Sequence, residues 1–174
     1  LVYESLDSVV ALSAAAAATS QIGLVTNVLL APLYPAALLV KQLASVACIA
    51  AGRLTVGLGV GNRTDDYAAV GVDFGRRGRV LDETAGLLRQ AWRAAPVAGD
   101  KALCPAPVRV PILFGGRSEA TMRRVVTICD GWSAGALRDY ENQASFADRA
   151  FDGLVFHPCV ETIDQVDRLA DAVL

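Results

Sequence analysis

Gly52-Arg53-Leu54-Thr55-Val56-Gly57-Leu58-Gly59-Val60-Gly61-Asn62 joins the end of a helix, a buried strand and a polar loop, and its reading decides the fold. Gly52 follows a helical run and suits the left-handed cap that ends one. Residues 54–60 are too apolar and too short for anything but an interior strand. The glycines at 57, 59 and 61 alternate, so one face of this strand is bare. Such a face admits either a flat ring or a packed neighbour. These glycines lie within the strand, and no G-x-G-x-x-G turn opens the next helix, which argues against a dinucleotide-binding loop for NAD.

Upstream, the helix after Pro35 places Leu39, Leu43, Val46 and Ala50 on one stripe at three- and four-residue steps. Before it runs Ile22-Gly23-Leu24-Val25-Thr26-Asn27-Val28-Leu29-Leu30-Ala31-Pro32, a strand whose continuous apolar character fits burial on both faces. An Ala-rich helix over 9–19 precedes that strand. Downstream, a polar loop over 62–66 and a Gly/Arg-rich stretch to Arg79 lead into a helix carrying Leu81, Leu88 and Trp92. Residues 94–109 have no periodicity and read as a loop, followed by a strand over 110–114. Ser118 caps a helix in which Met122, Val125, Val126 and Cys129 face inward, and Asp130-Gly131 ends it before a short strand over 132–134. The last strand is 154–156, and Thr162 with Gln165 forms a capping box for a final helix with Ile163, Val166, Ala170 and Val173 inward.

Strands and helices that alternate in this way form a parallel sheet with right-handed crossovers, so the fold class is α/β. A complete eight-stranded barrel takes about 250 residues. The 174 residues here hold about five strands, so a TIM-type (β/α)8 barrel is represented incompletely. One domain over 1–174 is the expectation.

Composition narrows the function classes. A net charge of −2 gives no electrostatic footprint for nucleic acid. The four cysteines, Cys48, Cys104, Cys129 and Cys159, stand singly without a histidine cluster. That pattern implies neither a metal site nor a disulfide framework, and reads as buried free thiols in a reducing cytoplasm. The apolar run 22–40 is long enough to suggest a membrane span, but Thr26, Asn27, Pro32 and Pro35 interrupt it. No charged-then-apolar leader is read at the start, and a cytoplasmic protein is expected.

The strand glycines, the 22–32 stretch and Val110-Pro111-Ile112-Leu113-Phe114-Gly115-Gly116-Arg117-Ser118 together resemble the luciferase-like monooxygenase family of oxidoreductases that use flavin or deazaflavin. The resemblance covers most of the chain. It implies two further βα units before Leu1 and another near Ala150/Phe151, so that segments are missing at both places; a natively contracted chain is the alternative. It also implies a homodimer, for which the apolar helix 36–51 is a candidate surface, although burial in the barrel wall fits that helix equally.

In barrels the site lies at the carboxyl ends of the strands. The resemblance places Asn27 and Val28 at a bulge, often with a cis peptide, that braces the cofactor ring. After the next strand, Gly61 and Asn62 are cofactor-binding candidates and Arg63 a further contact, while Asp65 and Asp66 fit a helix start or a ribityl chain. Gly115, Gly116, Arg117 and Ser118 read as a phosphate cradle, because glycines free backbone N–H groups at a helix start and Arg117 adds charge. An ordinary turn followed by an N-cap is the alternative. His157, the only histidine, follows the last strand and is a substrate-contact candidate. Arg76, Arg77 and Arg79 form a basic cluster that suits an anionic ligand or a solvated loop.

No acid, base or nucleophile cluster is visible, so the catalytic residues stay unassigned. The expected function is a flavin-dependent oxidoreductase or monooxygenase with FMN, acting on a small organic substrate. The alternatives are an oxidoreductase transferring hydride with coenzyme F420, a deazaflavin, or a flavin-binding relative without turnover. A third rival is a barrel enzyme acting on a phosphorylated metabolite.

Overall fold

The computed structural model describes residues 6–103, 105, 110–134 and 153–156, which fall in two compact units, Leu1–Ile112 and Leu113–Leu174. The capping box at Thr162, the helix it would open, Cys104 and Cys159 lie outside the described residues.

In the first unit, helix α1 (Ser8–Ala18) begins where the Asp7 carboxylate accepts the amides of Val9 and Val10 at 2.9 and 3.1 Å. This satisfies two of the donors a helix leaves unpaired. Its last turn has no basic residue of its own. Arg53 supplies one from across the fold, donating to the carbonyls of Ala16 and Ile22 at 3.0 Å each and to Thr19 Oγ1 at 3.1 Å.

Strand β1 (Leu24–Leu30) pairs in parallel with β2 (Leu54–Gly59). Burial of β1 on both faces is not observed: Leu24, Thr26 and Leu29 are buried, but Val25 is 44% exposed and Asn27 is exposed. An apolar run reports affinity for a covering layer, and the described residues cover β1 on one side.

Helix α2 (Ala36–Ala50) buries Leu39, Leu43, Val46 and Ala50 as the stripe requires, and Val40, Ala44 and Ala47 beside them. Of its large apolar side chains, Leu38 and Ile49 are exposed. The left-handed cap falls on Ala51 at φ 50°, one residue before the expected Gly52, which continues at φ 87°.

The stretch after β2 is more ordered than a polar loop. Helix α3 (Thr64–Val70) opens there with Asp65 and Asp66 in its first turn, where the helix dipole favours negative charge, and closes on Gly71 at φ 69°. A 3-10 turn (Phe74–Arg76) hands over to α4 (Arg77–Trp92), which starts ahead of Arg79 and buries Leu81, Ala85, Leu88 and Ala91. The Arg77 guanidinium stacks 3.8 Å over the Phe74 ring, so this member of the basic cluster has a packing role. The expected loop over 94–109 contains a hairpin, β3 (Pro96–Ala98) antiparallel to β4 (Lys101–Ala102), with Gly99 at φ 60° in the turn. Strands of this length are too short to show periodicity.

The second unit opens within β5 (Ile112–Gly115), which pairs in parallel with β6 (Gly131–Ala134), as does β6 with β7 (Gly153–Phe156). Helix α5 (Glu119–Ile128) connects the first two. Its buried face is Thr121, Met122 and Val125, and Val126, expected inward, is 43% exposed because the stripe turns toward Thr121. The expectation of buried thiols fails for Cys48, which is free and exposed; Cys129 is free and half-buried, its thiol donating to the Val125 and Gly131 carbonyls. Among the described residues no helix is long and apolar enough to cross a membrane, and no cluster of His, Cys, Asp and Glu suits a metal ion.

Candidate functional site

The carboxyl ends of β1 and β2 lie side by side in the first unit. Pairing runs in step to Thr26↔Val56 and resumes at Leu29↔Leu58, so Asn27 and Val28 together oppose the single residue Gly57. This is a β-bulge, the device by which a strand turns a side chain out of its ladder. The Asn27–Val28 peptide is cis, and Asn27 is exposed at the bulge.

The glycines at 57, 59 and 61 are explained by this neighbour. A Cβ on Gly57 would run into the Thr26 carbonyl oxygen, one on Gly59 would lie 2.6 Å from Val28 Cγ2, and one on Gly61 would lie 3.0 Å from Leu30 Cδ1. The face expected to stay open for a flat ring is therefore filled by β1 itself, because the bulge drops Val28 onto it. The edge at Asn27 stays exposed.

The turn after β2 is held from several sides. Gly61 takes φ 68°, the Tyr67 hydroxyl donates to the Val60 carbonyl, and Asn62 is exposed. Burial pushes the Tyr67 phenol above its ordinary range. Arg63 spans two carboxylates, reaching Asp65 Oδ2 at 2.5 Å and Asp66 Oδ2 at 3.7 Å. Its hydrogen bond holds the Asp65 carboxyl below the usual range. Asp66 is buried and Asp65 exposed.

Gly115, Gly116, Arg117 and Ser118 stand together in the second unit, at the start of α5. Ser118 caps the helix by accepting the Thr121 amide at 3.1 Å, and its hydroxyl lies 3.0 Å from Thr121 Oγ1. Gly116 has φ 122°, and a Cβ there would lie 3.0 Å from Thr121 Oγ1, so the turn accepts only glycine at no cost. The fully buried Trp132 donates its indole N–H to the Gly116 carbonyl at 2.8 Å, which ties the turn to β6. Arg117 is exposed. A helix start beside an exposed guanidinium suits an anion.

Asn27, Val28, Gly61 and Asn62 thus belong to the first unit and Gly115 to Ser118 to the second, while His157 lies outside the described residues. Sequence reasoning missed Thr26, Tyr67 and Trp132 as supports. Their signal is a polar atom on a buried side chain, which must find a partner. A cleft of about 610 Å³ in the first unit lies apart from the chosen residues, lined among others by Tyr34, Val70, Val72, Arg76, Val80 and Glu83. There Tyr34 donates to Asp7 Oδ2 at 2.6 Å, and burial with that carboxylate lifts its phenol well above the ordinary range.

A family model described as luciferase-like monooxygenase matches residues 2–150. An uncharacterized protein of Mycobacterium tuberculosis is 31% identical over 144 residues, covering 75% of this chain and 48% of that relative. The chain spans about half the length of the curated relatives it matches. Among solved structures, the monooxygenase RslO1 from Streptomyces bottropensis aligns with a TM-score of 0.71 at 23% identity, covering 86% of this chain and 53% of that one. The coenzyme F420 dependent tetrahydromethanopterin reductase of Methanopyrus kandleri aligns at 0.63 and 18%, covering 88% and 54%. The oxygenating constituent of 3,6-diketocamphane monooxygenase from Pseudomonas putida, in complex with FMN, aligns at 0.68 and 17%, covering 95% and 57%.

Proposed function

The chain belongs to the luciferase-like monooxygenase family, whose fold is the TIM barrel, and from that premise we propose that the protein is a flavin-dependent oxidoreductase that oxygenates a small organic substrate. The observation that carries this reading is the β1 bulge, which leaves Asn27 exposed at the carboxyl end of a parallel strand in a chain matched by that family over residues 2–150. Carboxyl ends of parallel strands are where barrels place their ligands.

Each unit by itself offers residues that fit part of FMN. The Gly115-Gly116-Arg117-Ser118 turn, where a Cβ at Gly116 would press on Thr121, offers backbone amides and the Arg117 charge to the phosphate. Asn27 and Val28 offer an edge for the ring, with Gly61 and Asn62 at the neighbouring turn. When bound, a reduced flavin supplies the redox chemistry, and the protein supplies binding, orientation and control of water. Asn27 would help orient the ring from the exposed edge of the bulge. Val28 and Leu30, packed against Gly59 and Gly61, would help exclude water there. Arg117 would add positive charge beside the phosphate. His157 is the proposed substrate contact.

A second reading, hydride transfer with coenzyme F420, is favoured by the likeness to the Methanopyrus kandleri reductase and uses the same residues. Both readings take the protein as a single barrel domain and a cytoplasmic homodimer, with neither nucleic acid nor membrane as partner. Titration of the purified protein with FMN and with F420, followed by visible absorption, tests them. Saturable binding of one cofactor, and substrate-dependent oxidation of its reduced form, is the expected result. Binding of neither, with retention of a sugar phosphate, would promote the phosphorylated-metabolite rival.

A further inference from the structure

Within a strand, the N–H and C=O of one residue point to the same edge, and at Gly57 both face β1. The bulge takes the β1 backbone out of the ladder at this point, since Asn27 and Val28 have no place in the register. Two buried backbone groups left without partners would be costly. The Thr26 side chain replaces both partners: its hydroxyl accepts the Gly57 N–H at 2.8 Å and donates to the Gly57 carbonyl at 2.7 Å. Thr26 is 4% exposed, so no water competes for these bonds. Beyond the bulge, the Val28 side chain sits over Gly59, where its Cγ2 takes the space a Cβ would need, and its Cγ1 comes to ordinary contact distance above Gly57. The bulge is thus pinned on one side by a hydroxyl and seated on the other by a methyl group. Asn27 stands between these fixed points and faces outward.

We propose that Thr26 is the positioning residue of this site: its hydroxyl stands in for the missing strand partner of Gly57 and so holds Asn27 and Val28 where a flavin ring is received. This rests on the flavin reading above and names the device that makes it specific. Thr26 itself touches no ligand. Its effect is transmitted through the placement of the next two residues, and displacement of a binding edge by a fraction of an ångström is felt in affinity.

The test compares Thr26→Ser, which keeps the hydroxyl, with Thr26→Val, which keeps the shape and loses it. Each protein is titrated with FMN and with F420 by visible absorption at 10 °C, after circular dichroism has shown it folded. Expected is wild-type affinity for Thr26→Ser, and for Thr26→Val about a tenfold weaker affinity with a shifted spectrum of the bound flavin. A lowered melting temperature with unchanged affinity and spectrum in folded Thr26→Val means a merely structural role and overturns the proposal. If Thr26→Val does not fold, Thr26→Cys replaces it, because a thiol is a weak donor and acceptor of similar size. An affinity between those of the serine variant and tenfold loss supports the proposal, and wild-type affinity overturns it. If the wild-type protein binds neither flavin, the flavin reading fails and takes this inference with it. Wild-type binding with indifferent variants defeats the inference alone.

Discussion

Gly57→Ala adds one methyl group at the tightest contact between β1 and β2. The new Cβ would lie inside the contact distance of the Thr26 carbonyl oxygen and 3.2 Å from its carbon. Both are backbone atoms, so no flexible side chain can yield, and the strands must part by on the order of 1 Å in a close-packed interior. That breaks the two Thr26–Gly57 hydrogen bonds of 2.7 and 2.8 Å in a buried setting. Each of the two buried Gly57 groups left unpaired costs about 1–3 kcal/mol, while replacing glycine returns about 0.5–1 kcal/mol of backbone entropy. The expected net destabilisation is about 2–4 kcal/mol, which at a urea slope of roughly 2 kcal/mol per molar lowers the midpoint by about 1–2 M. Urea unfolding followed by circular dichroism measures it. Gly23→Ala, where an added Cβ meets nothing within 4 Å, serves as the control. A Gly57→Ala midpoint equal to that of the control would refute the argument that β2 is glycine-rich because β1 presses on it.

Other outcomes follow from features of the same kind. Arg53→Met removes the cation that reaches the Ala16 and Ile22 carbonyls at the end of α1, and is expected to cost about 1–3 kcal/mol in urea unfolding, with Arg53→Lys in between. Gly86→Ala, inside α4 with nothing within 4 Å of the new methyl, is expected to stabilise by about 0.5–1 kcal/mol in the same assay. For Asp7, burial raises the carboxyl pKa, but hydrogen bonds from Tyr34 and the Val10 and Val9 amides outweigh it and leave the folded value below the ordinary one. Its contribution is therefore present above the unfolded value of about 3.9 and lost as pH falls through the lower folded value. Melting temperatures measured between pH 2 and 6 should fall less steeply on acidification for Asp7→Asn than for the wild type. Trp132→Phe releases the Gly116 carbonyl and is expected to weaken FMN severalfold without changing affinity for riboflavin, which lacks the phosphate. Equal losses for both ligands would show that the indole supports the core and not the anion turn.

The alternation of β1, α2, β2 and α4 was legible because an apolar run of strand length and a stripe at three- and four-residue steps are each local patterns. So was the start of α5, where Ser118 announces its own cap. The hairpin at Pro96–Ala98 and helix α3 were not, since a strand of three residues and a helix of seven carry too few positions for a period to emerge. The alternating glycines at 57 and 59 were legible as an unoccupied face. What occupies it was not, because the occupant comes from a strand some thirty residues earlier and depends on a bulge that no spacing encodes. Residues such as Thr26 and Trp132 escape for the same reason: each looks like ordinary strand composition until the partner of its single polar group is known. For the candidate site, the family resemblance nominated Asn27 and the chemistry of a glycine turn at a helix start nominated Gly116, while the contacts that hold them are long-range.

The seating of Val28 on Gly59 makes the identities of these two positions interdependent. Enlarging residue 59 alone forces a collision, and trimming residue 28 alone hollows the joint, yet the two changes made together can cancel. Val28→Ala combined with Gly59→Ala should accordingly be milder than Gly59→Ala by itself. Any redesign of this sheet has to treat the pair as one choice, in which bulk surrendered by one strand becomes room for the other.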